Sequence, residues 1–225
     1  MKNIVKLLIN AGVIFLIMAC LSPYNGNDGK ENGLPGNETT IAVSDLFIPI
    51  DNTTITKFYT NDPIYRTASG YTLWTYCSDI VNFQERIVTV RKPLGSNIAG
   101  YGLILCANER MVEESLENVF LTVMINNNRQ YALGKVIRAS YKPILNWTEG
   151  NGLAKGIGLP QKIKIVKDGE NQNKYHLYFN GFYECFFIDE EDPRCEGVGK
   201  NGYVVVIAQD DLNKGSVEVL FDESL

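Results

Sequence analysis

The chain has 225 residues, 45 % of them hydrophobic and 21 % charged, and a formal net charge of −5. That length and balance suit one large domain with a substantial core. The acid excess excludes a nucleic-acid partner, which needs a basic stripe, and excludes docking on anionic lipid through the protein surface.

Residues 1–19 read as a signal segment. Lys2 and Lys6 make a basic start, and Leu7 to Met18 are apolar except for Asn10. That stretch falls short of the roughly 20 apolar residues a bilayer span requires. It ends in Ile17-Met18-Ala19-Cys20, which resembles a bacterial lipobox. The resemblance implies cleavage before Cys20 and acylation of its thiol. Each buried methylene contributes about 0.8 kcal/mol, so two or three acyl chains anchor a protein durably. Leu21 follows the Cys with no acidic residue there. By resemblance to diderm lipoproteins, this points to the outer membrane, facing periplasm or surface. Loss of Lys2 and Lys6 takes the mature charge to about −7. The membrane partner is then the lipid anchor. Residues 20–44, including NGNDGKENGLPGNETT, have almost nothing to bury and read as a flexible tether with a reach of roughly 25–30 Å.

From residue 45 to 225 short β-type runs recur between turn signals, as one domain. Twelve Tyr and ten Phe favour strands. Ile64 to Thr67 and Tyr71 to Tyr76 flank Ala68-Ser69-Gly70 as a hairpin. RIVTVRK (86–92) alternates and YGLILC (101–106) returns. Glu109 to Asn118 suits either a short helical turn or a loop. VFLTVMI (119–125) runs into Asn126-Asn127-Asn128, then Gln130 to Val136 follows. KIKIV (162–166) leads through Asp168-Gly169 to KYHLYF (174–179). Asn180-Gly181 is a strong signal for a type I′ hairpin, because both positions need positive φ. Phe182 to Ile188, YVVVIA (203–208) and SVEVLF (216–221) complete the set. Strands at this spacing, without a long helical period, predict an all-β sandwich or barrel.

The order of these segments resembles the concanavalin A-like lectin/glucanase superfamily in its laminin-G-like jelly-roll branches. Gly102-Leu103-Ile104, VFLTVMI, Tyr131-x-Leu133 with Lys135, Leu145-x-Trp147, KIKIVKDG, KYHLYFNG, Gly202-Tyr203-Val204-Val205 and VLFDES carry the likeness. It implies a two-sheet antiparallel jelly roll, with a concave sheet that binds carbohydrate or protein, or in some branches hydrolyses glycans. The fold alone does not choose among these functions.

Four cysteines remain after Cys20. An even number in an exported chain suggests two disulfides, Cys77–Cys106 between neighbouring strands and Cys185–Cys195 across one loop. Reduced, buried cysteines are the alternative.

No catalytic residue and no metal site is assigned. Sandwich glycosidases carry alternating carboxylates on one strand, where residues i and i+2 share a face. Glu190-x-Asp192-x-x-x-Glu196 misses that spacing and contains Pro193, so Asp189-Glu190-Glu191-Asp192 reads as a solvated acidic loop. Its clustered oxygens also suit calcium, the one cofactor left open. Sugars stack on aromatic faces, which makes Trp147, Tyr131, Tyr141 and Tyr178 candidate ligand contacts. His176 shares a strand face with Tyr178 and joins them, although a sheet-face residue satisfied by its neighbours reads as well. Trp147 is placed in a loop, with plugging of the core edge as its alternative role, and Trp74 in the core. The reading is therefore a lipid-anchored, non-catalytic domain for carbohydrate or for an envelope or host protein. A glycan hydrolase and a structural envelope protein without ligand are the alternatives.

Overall fold

The computed structural model describes residues 44–62, 65, 70–112, 115–137, 140–189, 198–208 and 215–224. Cys20, the tether, Cys195, residues 190–192 and most of the hairpin arm expected at 64–67 lie outside them. A 3-10 turn at Ser44–Leu46 leads into β1 (Phe47–Pro49), β2 (Ile55–Thr60), β3 (Gly70–Val81) and β4 (Glu85–Leu94). Then come β5 (Tyr101–Val112), β6 (Ser115–Ile125), β7 (Gln130–Ile137), β8 (Ser140–Glu149) and β9 (Gln161–Lys167). β10 (Lys174–Phe179), β11 (Phe182–Ile188), β12 (Val198–Ala208) and β13 (Val217–Asp222) close the chain.

These strands form two antiparallel sheets. One has seven strands in the order β1-β2-β13-β4-β9-β10-β11; the other has six, β3-β12-β5-β6-β7-β8. Chain-adjacent strands pair in β5 to β8 and in β9 to β11, whereas β12 returns between β3 and β5, and β13 between β2 and β4. The result is the all-β jelly-roll sandwich the segment order implied.

Side-chain alternation builds the core between the sheets. In β10, Tyr175, Leu177 and Phe179 are buried while Lys174, His176 and Tyr178 are only part-buried. In β13, Val217, Val219 and Phe221 point in. Facing them, Tyr101, Leu103, Leu121, Val123, Tyr203 and Val205 supply the six-stranded side. The rings of Tyr203 and Phe221 stack at 4.3 Å, joining the two sheets at the centre.

The six-stranded sheet also buries its other face. Ile104, Ala107, Phe120, Met124, Val204 and Val206 form a second apolar cluster, with Trp74, Tyr76, Val136 and Trp147 packed against it. Strands covered on both faces read as unbroken apolar runs, which is the character of VFLTVMI and YVVVIA.

Several sequence expectations change here. Of the stretch Glu109 to Asn118, residues 109–112 and 115–118 are neither helical turn nor loop: they extend β5 and β6, in register from Glu109 opposite Asn118 to Val112 opposite Ser115, and residues 113 and 114 lie outside the described residues. Tyr71 to Tyr76 belongs to β3, whose partner is β12. The Asn180-Gly181 turn has the expected geometry, with φ of 51° and 87°.

The two proposed disulfides do not form, because Cys77 and Cys185 are free thiols. Cys77 lies on β3 and Cys106 on β5, and β12 runs between those strands. Two strand spacings come to about 9–10 Å, beyond the roughly 7 Å limit for bridged Cα atoms. Cys106 is disulfide-bonded, to neither of these cysteines. Cys185 packs against the core and shares a hydrogen bond with Tyr131, and burial pushes its thiol up.

Candidate functional site

The outward side of β9, β10 and β11 carries an exposed aromatic ledge. Register fixes its composition. Tyr178 sits opposite Lys164 on β9 and Tyr183 on β11, and His176 sits opposite Val166 and Phe186. The type I′ turn alone would pair Leu177 with Glu184 and drive that carboxylate inward. A bulge between Leu177 and Tyr178 prevents this, pairing Leu177 with Cys185 instead. Glu184 is released to accept the Asn151 and Gly152 amides at 2.9 and 3.3 Å, and Phe186 joins Tyr183 on the outer face.

The ledge is open. Tyr183 and Phe186 retain 51 and 54 % exposure. Tyr178 and Tyr183 meet edge to face at 5.3 Å, and His176 tilts against Tyr183 at 6.1 Å. The Lys174 ammonium lies 4.9 Å from the Phe186 ring centre. Covering such water-exposed rings with another apolar surface is favourable, so a patch of them marks a contact site.

A polar clamp holds one end. The Asp168 carboxylate accepts the backbone N–H of Asn171 at 2.8 Å and of Glu170 at 2.9 Å. Its second oxygen lies 2.8 Å from His176 Nε2 and 3.3 Å from Lys174 Nζ. The Asn171 amide, then His176 and the Glu170 amide, hold its carboxyl well below the usual range. Asp168 is therefore the neighbour that satisfies His176 on the sheet face. With Nε2 engaged, Nδ1 of His176 is the ring nitrogen left to meet a ligand.

The other candidates lie elsewhere. Tyr131 is core: it is buried on β7, edge to face with Phe179 at 5.2 Å, so it cannot stack on a ligand. Trp147 is not in a loop but on β8, in the second apolar cluster. Its ring covers Gly100 so closely that a Cβ there would lie 2.9 Å away. Trp74 packs on the same face, 5.4 Å from Phe120. Tyr141 falls on β8, with its side chain outside the described residues. Of the expected residues whose side chains are described, Tyr178 and His176 come together here, and Tyr183 and Phe186 complete the ledge; Phe182 pairs with the inward Phe179 and lies on the other face.

Asp189 is likewise no solvated loop residue. It is buried and ion-paired with the buried Lys135 of β7, which removes it from any calcium site. Among the described residues, no group of three or more His, Cys, Asp or Glu could hold a metal ion.

Two antiparallel sheets with this strand order define a concanavalin A-like jelly roll. Among solved structures, the chain is similar to a Bacteroides ovatus mixed linkage glucan protein of glycoside hydrolase family 16, in complex with its product. That match has 6 % identity, a TM-score of 0.50, and covers 78 % of this chain and 82 % of the other. A carbohydrate-binding module from Bacillus subtilis matches with 9 % identity and a TM-score of 0.49, over 77 % of this chain and 94 % of that one. At such identities the likeness is one of fold. No family model and no curated protein matches the chain.

Proposed function

We propose that this chain is a membrane-anchored lipoprotein whose jelly roll is a non-catalytic glycan-binding domain, with the ledge of Tyr178, Tyr183, Phe186 and His176 as its site. The observation that carries the reading is two aromatic rings more than half exposed, Tyr183 and Phe186, with Tyr178 against Tyr183, beside a fixed His–Asp–Lys cluster. Sugar rings present apolar C–H faces and hydroxyl edges, and so require a flat aromatic surface with donors and acceptors at its rim. The fold is one on which a glycan site has been built, since the Bacteroides ovatus relative holds a glucan product.

Binding without hydrolysis fits the carboxylate beside the rings. Glycosidic cleavage needs a general acid with a raised pKa. Asp168 is shifted the other way and keeps its charge.

Affinity electrophoresis of the full chain through a panel of polysaccharides tests the site. Tyr183→Ala and Phe186→Ala should each weaken retardation by about tenfold, the equivalent of about 1.4 kcal/mol. Retardation unchanged by loss of both rings would remove the ledge from the account.

The anchor rests on Cys20. Palmitate supplied to growing cells should label the chain, and Cys20→Ser should abolish the label and move the protein to the soluble fraction. Label persisting in that variant would end the lipoprotein reading and leave the glycan reading standing.

A further inference from the structure

We infer that Asp168 sets what the ledge can hold: it keeps the hydrogen of His176 on Nε2, leaves Nδ1 bare as an acceptor, and so selects an uncharged glycan that donates a hydrogen bond there; this rests on the glycan-binding reading above. The chain has one histidine, and it stands among the rings of the ledge. His176 lies across the strands from Val166 and Phe186 and tilts against Tyr183. Its Nε2 is 2.8 Å from Asp168 Oδ2, while Asp168 Oδ1 accepts the Asn171 and Glu170 amides. The Asn171 amide, then His176 and the Glu170 amide, keep the Asp168 carboxyl ionised. An ionised carboxylate only accepts, so the hydrogen between the two side chains belongs to Nε2. Neutral imidazole carries one such hydrogen, which leaves a lone pair on Nδ1. Among the described residues no group bonds Nδ1, and that nitrogen keeps contact with solvent.

Charge beside the ring favours neither sign. Lys162, Lys164 and Lys174 stand with Glu85, Asp168 and Glu170, three cations with three anions. Lys164 lies 3.1 Å from Glu85 and Lys174 lies 3.3 Å from Asp168, which leaves the exposed Lys162 and Glu170 to balance. Lys167 belongs to the inward row of β9 with Ile163 and Ile165, and Glu184 is turned to the Asn151 and Gly152 amides. A charged ligand would lose hydration here with no excess of counter-charge to replace it. The ring nitrogen then decides. A carboxylate or sulfate oxygen would meet Nδ1 lone pair to lone pair, whereas a hydroxyl or an N-acetyl N–H donates to it.

Asp168→Asn inverts this device and keeps the turn. One amide oxygen still accepts the Asn171 and Glu170 N–H groups, and the NH2 group donates to Nε2, which moves the ring hydrogen to Nδ1. Glu170→Gln removes a charge from the same turn and retains the backbone bond to Asp168, so it isolates the effect of charge alone.

Nitrogen NMR of the single histidine in the full chain, at neutral pH, tests this during titration with three probes of equal length: an oligoglucoside, an N-acetylhexosamine oligomer and a uronic-acid oligomer. The wild type should show hydrogen on Nε2 and none on Nδ1, and Asp168→Asn should exchange them. At least one uncharged probe should bind about tenfold tighter than the uronic-acid probe, or more, and move the Nδ1 signal upfield. Which uncharged probe does so tells whether a hydroxyl or an amide donates. Asp168→Asn should bring the ratio close to one, and Glu170→Gln should leave it within about twofold. The wild-type signals decide without the variant if Asp168→Asn does not fold. Hydrogen on Nδ1 in the wild type, an Nδ1 signal unmoved by a bound probe, or a uronic-acid probe that binds as tightly as the others would overturn the inference and keep the glycan site. So would a ratio unchanged in Asp168→Asn, or one lost equally in Glu170→Gln. Binding of none of the three would overturn the inference and the glycan reading together.

Discussion

Asp189→Ala is expected to lower stability by about 3–5 kcal/mol, which for a domain of this size is a fall of roughly 6–20 °C in Tm. Asp189 follows β11 in the seven-stranded sheet, and Lys135 lies on β7 in the six-stranded sheet. Their side chains are only 2 and 5 % exposed and form an ion pair across the sandwich. Lys135 points inward because the alternation of β7 demands it: Tyr131, Leu133 and Lys135 share the core-facing side. Removing the carboxylate leaves an ammonium in an apolar interior, where an isolated charge is costly. Lys135→Met with Asp189→Leu removes both charges together and should recover most of the loss. Urea unfolding of the three proteins measures this. If Asp189→Ala costs less than about 1 kcal/mol, the pair does not bind the sheets together.

Arg86→Met should cost a similar amount, about 3–5 kcal/mol. Arg86 opens β4 and turns inward with Val88 and Val90. Its Nη1 donates to the carbonyls of Ile104 and Gly202 at 2.9 and 3.0 Å, on two neighbouring strands of the opposite sheet. Its Nη2 donates to Glu223 at 2.6 Å and to the Cys77 sulfur at 3.3 Å. Glu223 also accepts the Tyr203 hydroxyl at 2.8 Å. Both Ile104 and Gly202 lie beside register shifts of β5 and β12, where the ladder is irregular. Glu223 is 36 % exposed, so water screens its share and the two carbonyls carry most of the cost. Arg86→Lys should restore little, since one ammonium cannot reproduce the planar fork. Full recovery by Lys in denaturant titration would mean that charge, not the fork, is what matters.

The division between the two sheets was present in the sequence as a difference in pattern. KIKIV and KYHLYF alternate, and their strands face solvent on one side; VFLTVMI and YVVVIA are unbroken, and their strands are buried on both. Outward placement of His176 and Tyr178 follows from the alternation of KYHLYF. Counting from the Asn180-Gly181 turn places Tyr183 opposite Tyr178, but it could not add Phe186, because the bulge at Glu184 shifts the face of every later residue by one. Alternation turns Arg86 inward with Val88 and Val90, and Lys135 inward with Tyr131 and Leu133, but their partners come from the other sheet, and no local spacing names those. Cys77–Cys106 failed for a topological reason, the return of β12 between two strands that are near in sequence. Local context offers Trp147 as a ligand contact or a plug at the core edge and puts Trp74 in the core; both pack against the apolar cluster on the outer face of the six-stranded sheet.

The proposed site puts sugar on the seven-stranded sheet at Tyr183 and Phe186, not on the opposite sheet at Trp74 and Trp147. Intermolecular NOEs between glycan ring protons and assigned aromatic protons decide it directly. Contacts to Tyr178, Tyr183 and Phe186 are the result expected here. Contacts confined to the indole protons of Trp74 or Trp147 would contradict it and move the site to the other face.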